Sequence, residues 1–413
     1  MSKNKDNVPK IRFPGFADAW EQSRLGDVVK IVGGATPSKA NKAYWDGDIV
    51  WLSSQEIKDR YVSAGTYTIT EKAVRESATK VVPAFTPLIV SRSGILARMF
   101  PITLPTVDVA INQDIKALFF DKEILDTDFF VSQLEAKENT ILTSIVKTGT
   151  TVQSVNMPDF EKLIISIPSI QEQQKIGKIF KNLGNLITLH QRKLTNVKNL
   201  KAGLLQKMFP KDGEDFPEVR FPGFTDAWEQ RELGEVTEVY DGTHQTPDYK
   251  DEGIMFLSVE NIKTLQSDKY ISEEAFENEF KVRPEKGDVL MTRIGDVGTA
   301  NVVTSNEPIA YYVSLALLKK KVLNPYFLQA SIHSFAVQDE IWKRTLHIAF
   351  PKKINKNEIA KVPINFPSEQ EQDKIGLFFR ELDNLITLHQ RNLEHLQQQK
   401  KSLLQQMFVK GGQ

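Results

Sequence analysis

Two stretches of the chain place apolar residues at alternating steps of four and three. The first runs Ile176, Phe180, Leu183, Ile187, His190, Leu194, Val197, Lys201, Leu204, Met208; the second runs Ile375, Phe379, Leu382, Ile386, His389, Leu393, Leu396, Lys400, Leu403, Met407. A 3.5-residue period puts these positions on one seam of a left-handed coiled coil. Start signals agree: Ser169 follows Pro168 and Ser368 follows Pro367, with Glu172 and Glu371 three residues beyond, the spacing of a capping box. A helix of roughly 38 residues at ~1.5 Å per residue is ~57 Å long. Both seams carry a His and a Lys at equivalent steps. Such polar residues either fix register or snorkel to water at a frayed edge. A lone amphipathic helix leaves its seam exposed, so the two are expected to pair with each other. Antiparallel pairing sets what they carry at opposite ends; parallel pairing sets it at one end.

Outside the seams the pattern shortens to apolar runs such as Ile49–Trp51, Leu88–Val90, Ile254–Phe256 and Val289–Met291, which read as strands of mixed α/β domains. The chain also repeats itself. Arg12-Phe-Pro-Gly-Phe16, Asp18-Ala-Trp-Glu-Gln22 and Leu25-Gly26 return as Arg220-Phe-Pro-Gly-Phe224, Asp226-Ala-Trp-Glu-Gln230 and Leu233-Gly234. Asn185-Leu-Ile-Thr-Leu-His-Gln-Arg192 returns as residues 384–391, and Leu204-Leu-Gln206 with Met208-Phe209 returns as Leu403-Leu-Gln405 with Met407-Phe408. Between these blocks the halves diverge, with faint echoes such as Ser91-Arg92 against Thr292-Arg293. The expected division is a first globular domain at 1–167, a central helix at 168–209, a polar linker at 210–217, a second globular domain at 218–366 and a distal helix at 367–413. Matched helices suit a scaffold whose geometry must agree, closing with pseudo-two-fold symmetry. Divergent domains suit modules that read two different things.

Composition narrows the classes. The chain has 413 residues, 40% hydrophobic and 26% charged, enough for two cores. It has no cysteine, which excludes disulfides and thiolate chemistry and fits a reducing compartment. Residues Met1 to Lys10 carry no apolar signal core, and no apolar run is long enough to cross a bilayer, so a cytoplasmic location without membrane contact is expected. Basic and acidic side chains balance at 53 each, which weighs against a nucleic-acid binder unless its basic surface is local. Such a local excess exists: between Gln171 and Phe209, Lys175, Lys178, Lys181, Arg192, Lys193, Lys198, Lys201 and Lys207 face only Glu172.

The Arg-Phe-Pro-Gly-Phe opening, the Pro-Ser-x-x-Glu-Gln helix start and the Leu-Leu-Gln-x-Met-Phe helix end, each present twice and in order, resemble the specificity subunit of type I restriction–modification systems. The resemblance spans essentially the whole chain. It implies an α+β fold with two target recognition domains, each reading one half of a bipartite site in double-stranded DNA. The two helices would form an antiparallel intramolecular coiled coil that sets the spacer. It also implies a subunit without its own cofactor or catalytic site. Two modification (methyltransferase) subunits and two restriction (translocase/nuclease) subunits would bring S-adenosylmethionine, ATP and magnesium.

Rival readings are a scaffold bridging two protein partners without DNA, or a methyltransferase with its own catalytic site. The nearest string to an amine-gripping loop, Asn324-Pro325-Tyr326-Phe327, lacks a second proline and reads as a helix start. There is no phosphate-cradling loop with Lys, and the six histidines lack metal-ligand spacing, so no metal site is expected. For DNA, the Gly-rich loops offer Thr36, Ser38 and Lys39, with Tyr44 nearby, and Thr243, His244 and Gln245. Ser91 with Arg92 and Thr292 with Arg293 are expected to end strands at matched places. An Arg there grips guanine or phosphate, or else forms a surface salt bridge. Late in each domain come Lys147, Thr150, Thr151 and Gln153, and Lys343, Arg344, His347 and Lys352, basic and polar clusters expected to touch DNA.

Overall fold

The computed structural model describes residues 7–149 and 152–409. Both periodic stretches are single helices, Ile170–Lys207 (central) and Glu369–Met407 (distal). The chain forms two compact units, one of residues 1–192 and 390–413, the other of residues 193–389. The contiguous division drawn from the repeat does not follow these units, because each unit takes half of each helix.

In the first unit Phe180 stands beside Phe408, with ring centroids 5.6 Å apart. Further along, Gly184 and Ile187 line a hollow together with Gln397, Lys400 and Lys401. Advancing on one helix retreats on the other, so the segments are antiparallel. The second unit repeats this, with Phe209 5.9 Å from Phe379 and Lys201 2.5 Å from Asp383. On the seam, Ile176, Phe180, Leu194, Ile375, Phe379, Leu382 and Leu393 are buried. Leu183, Ile187, His190, Val197, Lys201, Leu204, Ile386, His389, Leu396, Lys400 and Leu403 are half-buried.

The two seam lysines find different acids. Lys201 meets Asp383 on the facing helix, whereas Lys400 meets Glu135 of the first domain at 2.8 Å. The repeat puts Gly184 at the step of Asp383. Arg60 fills the space: a Cβ on Gly184 would stand 3.0 Å from Arg60 Cδ, and the guanidinium reaches Asp128 and Glu135 at 3.2 and 3.3 Å. The second domain has His333 at the step of Glu135. Burial, reinforced by the charge of Lys201, pushes its pKa down to about 4, and Nε2 accepts the Ala300 N–H at 3.0 Å. The same helical frame is thus locked by different charges in each unit.

The globular parts share one layering. In the first, a five-stranded sheet runs in the order Lys30–Gly33, Ile115–Phe119, Leu88–Val90, Ile102–Pro105, Tyr61–Val62. Its Ile89 and Leu118 pack on Phe129 and Phe130 of the helix Thr127–Ala136, while Leu88, Val90, Ile115 and Ala117 pack on Leu52, Val109 and Ile111 of a second sheet. In the second domain, Val289, Met291, Ala316 and Leu318 pack on Phe327 and Leu328 of the helix Pro325–Ile332, and Leu290, Leu315 and Leu317 on Phe256, Leu257 and Ile309. Alternate residues of a strand face opposite sides, so these central strands are apolar on both faces.

The repeated opening segments close each unit. Arg12 Nε and Nη2 donate to the two carboxylate oxygens of Glu172 at 2.7 and 2.8 Å; Arg220 grips Glu371 at the same distances. The carboxylates that suggested capping boxes are therefore taken by an arginine from the opening segment. The Ile11 N–H reaches the Gln406 carbonyl at 3.0 Å and the Val219 N–H reaches that of Lys207 at 2.9 Å, capping the end of the other helix of the pair. Trp20 packs edge-on to Phe129 and Phe408; Trp228 packs edge-on to Phe209 and tilted against Phe327. The neighbouring Gln173 and Gln372 are buried. They accept the N–H of Asp126 and of Asn324 and donate to the Pro168 and Pro367 carbonyls. Gly177 and Gly376 let these helix starts approach, since a Cβ would fall 2.6 Å from Asp126 Oδ1 or 2.7 Å from Asn324 Oδ1. The stretch read as a linker is folded onto the second unit, with the Asp215 carbonyl accepting the Trp228 N–H at 2.9 Å.

Removing one partner of a buried ion pair leaves the other uncompensated. Glu172→Ala and Glu371→Ala are each expected to cost about 3–5 kcal/mol in urea unfolding followed by tryptophan fluorescence.

Candidate nucleic-acid interface

In each domain three segments converge on one turn. In the first, Gly34 crosses so close to that turn that a Cβ would sit 2.0 Å from the Ile111 carbonyl oxygen. Thr36 donates its hydroxyl to Gln113 Oε1 at 2.8 Å, and the Ser91 N–H donates to the Asp114 carbonyl at 2.7 Å. A hairpin, Val146–Thr148 with Gln153–Val155, completes the edge, with Lys147 opposite Ser154 and Arg92 bridged to Ser154. In the second domain Gly242 approaches the Tyr311 carbonyl, the Arg293 N–H reaches the Ser314 carbonyl at 2.9 Å, and Leu346 and Lys353 exchange N–H···O bonds of 2.7 and 3.4 Å beside Ile294.

These bonds correct the register of the two arginines. The Val155 N–H reaches the Ser91 carbonyl as the Ile354 N–H reaches that of Arg293. The backbone equivalent of Arg293 is therefore Ser91, and that of Arg92 is Ile294. A shift of one residue turns a strand side chain to the opposite face. Arg92 is exposed on the hairpin edge, whereas Arg293 is 5% exposed. Its Nε donates to the Ile354 carbonyl at 3.1 Å, and Nη1 to Asp241 Oδ1 at 2.6 Å and the Val313 carbonyl at 3.4 Å. Arg293 is thus a pin joining three loops, and its guanidinium is not presented at the surface. The first domain has Gly33 at the step of Asp241.

The remaining candidates divide by exposure. Ser38, Lys39, Lys147, His244, Gln245 and His347 are exposed, and Thr36, Gln153, Thr243 and Lys352 are half-buried. Ser91 and Thr292 are buried, their hydroxyls donating to the carbonyls of Asp114 and Thr299, which removes them from any outer surface. Tyr44 donates its phenol to Glu76 at 3.3 Å, and Thr243 its hydroxyl to Glu279 at 3.1 Å. Lys343 is paired with Asp339 and Glu340, and Arg344 with Glu340, so acids at the end of their helix already meet these charges. Thr150 and Thr151 lie outside the described residues.

The late clusters, unlike in sequence, occupy one structural position. Lys147 corresponds to Leu346 and Gln153 to Lys352, and residues 348–351 form the tip of the second hairpin. Sequence reasoning missed the second tip: Ile348 and Phe350 are each 103% exposed. Their chain position between two basic clusters was the available signal. The Asn324-Pro-Tyr-Phe string is a helix cap, with Asn324 Oδ1 accepting the N–H of Tyr326 and of Phe327 at 2.9 and 3.1 Å. Among the described residues no group of three or more His, Asp or Glu is placed to hold a metal ion, and no helix is long and apolar enough to cross a membrane.

Arg293→Ala is expected to destabilise the chain by about 3–5 kcal/mol through the unpaired Asp241 and the freed carbonyls. Arg92→Ala should stay within about 0.5 kcal/mol of the parent. Urea unfolding of both variants checks the contrast.

Known proteins share this frame. A family model described as the type I restriction modification DNA specificity domain matches residues 17–199 and again 225–398. The specificity subunit of the EcoR124I/EcoR124II type I restriction enzyme of Escherichia coli is 36% identical over 193 residues, which is 46% of this chain and 48% of that one. The MjaIX specificity subunit of Methanocaldococcus jannaschii is 25% identical over 54% of this chain and 53% of its own. The chain thus spans about half the length of these two relatives. The MjaVIII specificity subunit of the same organism is 21% identical over 97% of this chain and 94% of its own. The crystal structure of the S subunit of a type I restriction–modification system from M. genitalium shares the fold, with a TM-score of 0.64 at 16% identity over 98% of this chain and all of that one. With both halves matched by the same domain, the chain belongs to the type I restriction modification DNA specificity family.

Proposed function

We propose that this chain is the DNA-reading subunit of a type I restriction–modification complex, each domain reading one half of a bipartite duplex site. The observation that carries the proposal is one hairpin edge built twice on one backbone frame with different side chains. Arg92, Lys147 and Gln153 furnish the first edge; His347, Lys352 and Lys353 furnish the second. Exposed Arg and Lys supply phosphate contacts and, where they reach base edges, sequence readout. Zero net charge is compatible with this because the cations are local.

In this reading the helices set the distance between half-sites, and the chain works in the cytoplasm without a catalytic centre of its own. Its partners are two modification subunits and two restriction subunits, to which S-adenosylmethionine, ATP and magnesium belong. The repeat supports two copies of each partner, since matched surfaces suit identical proteins.

Sequencing modified bases in cells that carry the chain with its partners is expected to show one bipartite motif. Inserting one heptad into each helix at facing positions lengthens the unspecified spacer and leaves both half-sites unchanged. An unchanged spacer, or a motif without two halves, contradicts the proposal.

A further inference from the structure

The four-residue tip Ile348-Ala349-Phe350-Pro351 has no role in the core, and its two large apolar side chains stand fully in water. Single exposed apolar residues are ordinary, but here Trp342 and Leu346, at 56% and 47% exposure, are exposed in the same short segment. We propose that this tip is a wedge that enters a base step of the second half-site and partly unstacks it. The proposal rests on the DNA reading above and specifies how one of its two edges engages the duplex.

Three features support the wedge. The loop is held at its base: Leu346 and Lys353 exchange backbone bonds, Lys353 bridges to Ile294, and the His347 ring lies 3.9 Å from Trp342, centroid to centroid. A tip presented on such a base loses little freedom on binding. Cations lie at its foot, with Lys352 Nζ 5.3 Å above the Trp342 ring and Lys353 exposed. An apolar point beside cations complements a base stack beside phosphates, and Phe, Ile and Pro are among the side chains that proteins insert at kinked steps. Finally, the matched stretch of the first domain differs in sequence. Between the paired strands of the first hairpin the sequence reads Gly149-Thr-Thr-Val152, without an aromatic residue. A protein partner bound in two copies would need the same surface on both domains; a stretch that differs between them fits what each reads, its half-site.

The test uses the full chain assembled with its modification subunits. The duplex carries the site defined by modified-base sequencing, with 2-aminopurine placed in turn at each step. The parent complex is expected to raise fluorescence at one step of the second half-site and at none of the first. Phe350→Ala abolishes that signal and weakens binding about 10- to 100-fold while assembly by gel filtration is unchanged; Phe350→Trp retains the signal. No signal in the parent complex despite tight site-specific binding overturns the wedge and leaves the half-site reading intact. Loss of assembly with Phe350→Ala assigns the tip to a protein partner and also overturns it. Failure of the parent complex to prefer the site duplex removes the half-site reading and the wedge with it.

Discussion

The buried pair between an opening-segment arginine and the first-turn glutamate of a long helix is the constraint on which the other contacts of each unit depend. Arg12 with Glu172, and Arg220 with Glu371, are nearly dry bidentate pairs. Such pairs tolerate little geometric error, because desolvation is offset only when both hydrogen bonds form. The same segment then supplies an N–H to the end of the other helix and a tryptophan to the aromatic cluster between them. One short segment thereby fixes where one helix starts and where its neighbour ends. The first unit is closed by residues from near the two ends of the described chain, and the second by residues that bracket the 210–217 stretch.

Once those ends are fixed, chemistry can vary around them. Lys201 answers to Asp383 while Lys400 answers to Glu135. Lys181 meets Asp128 at 3.1 Å, where Arg380 instead lies over the Tyr326 ring. These exchanges keep the antiparallel frame and give each helix half a preference for its own domain. The hairpin edge follows the same rule: its backbone bonds repeat between domains, while the sequence between its strands changes from Gly-Thr-Thr-Val to Ile-Ala-Phe-Pro. A fixed frame with replaceable side chains suits the proposed reading of two unlike half-sites.

Much of this was legible in the sequence. The 3.5-residue period and its two copies contain the helices and their pairing, whereas its antiparallel direction came from the family resemblance, since periodicity allows either. The surface chemistry was less legible. Ser91-Arg92 and Thr292-Arg293 look matched, yet the backbone is offset by one residue, and the offset decides whether an arginine points to solvent or to Asp241. Register is set by partner strands far away in sequence, so local likeness cannot fix it. Glu172 and Glu371 fit a local capping rule but are claimed by arginines more than a hundred residues earlier. The two hairpins share almost no sequence because only their backbones are alike.

Each unit folds as one body from distant stretches of chain. Hydrogen exchange with mass spectrometry on the full chain carrying Arg12→Ala tests this most directly. Amides of residues 170–192 and 390–409 should lose protection together, while those of 193–207 and 369–389 keep it. Loss running along the whole central helix, or confined to 170–192 without 390–409, would contradict it.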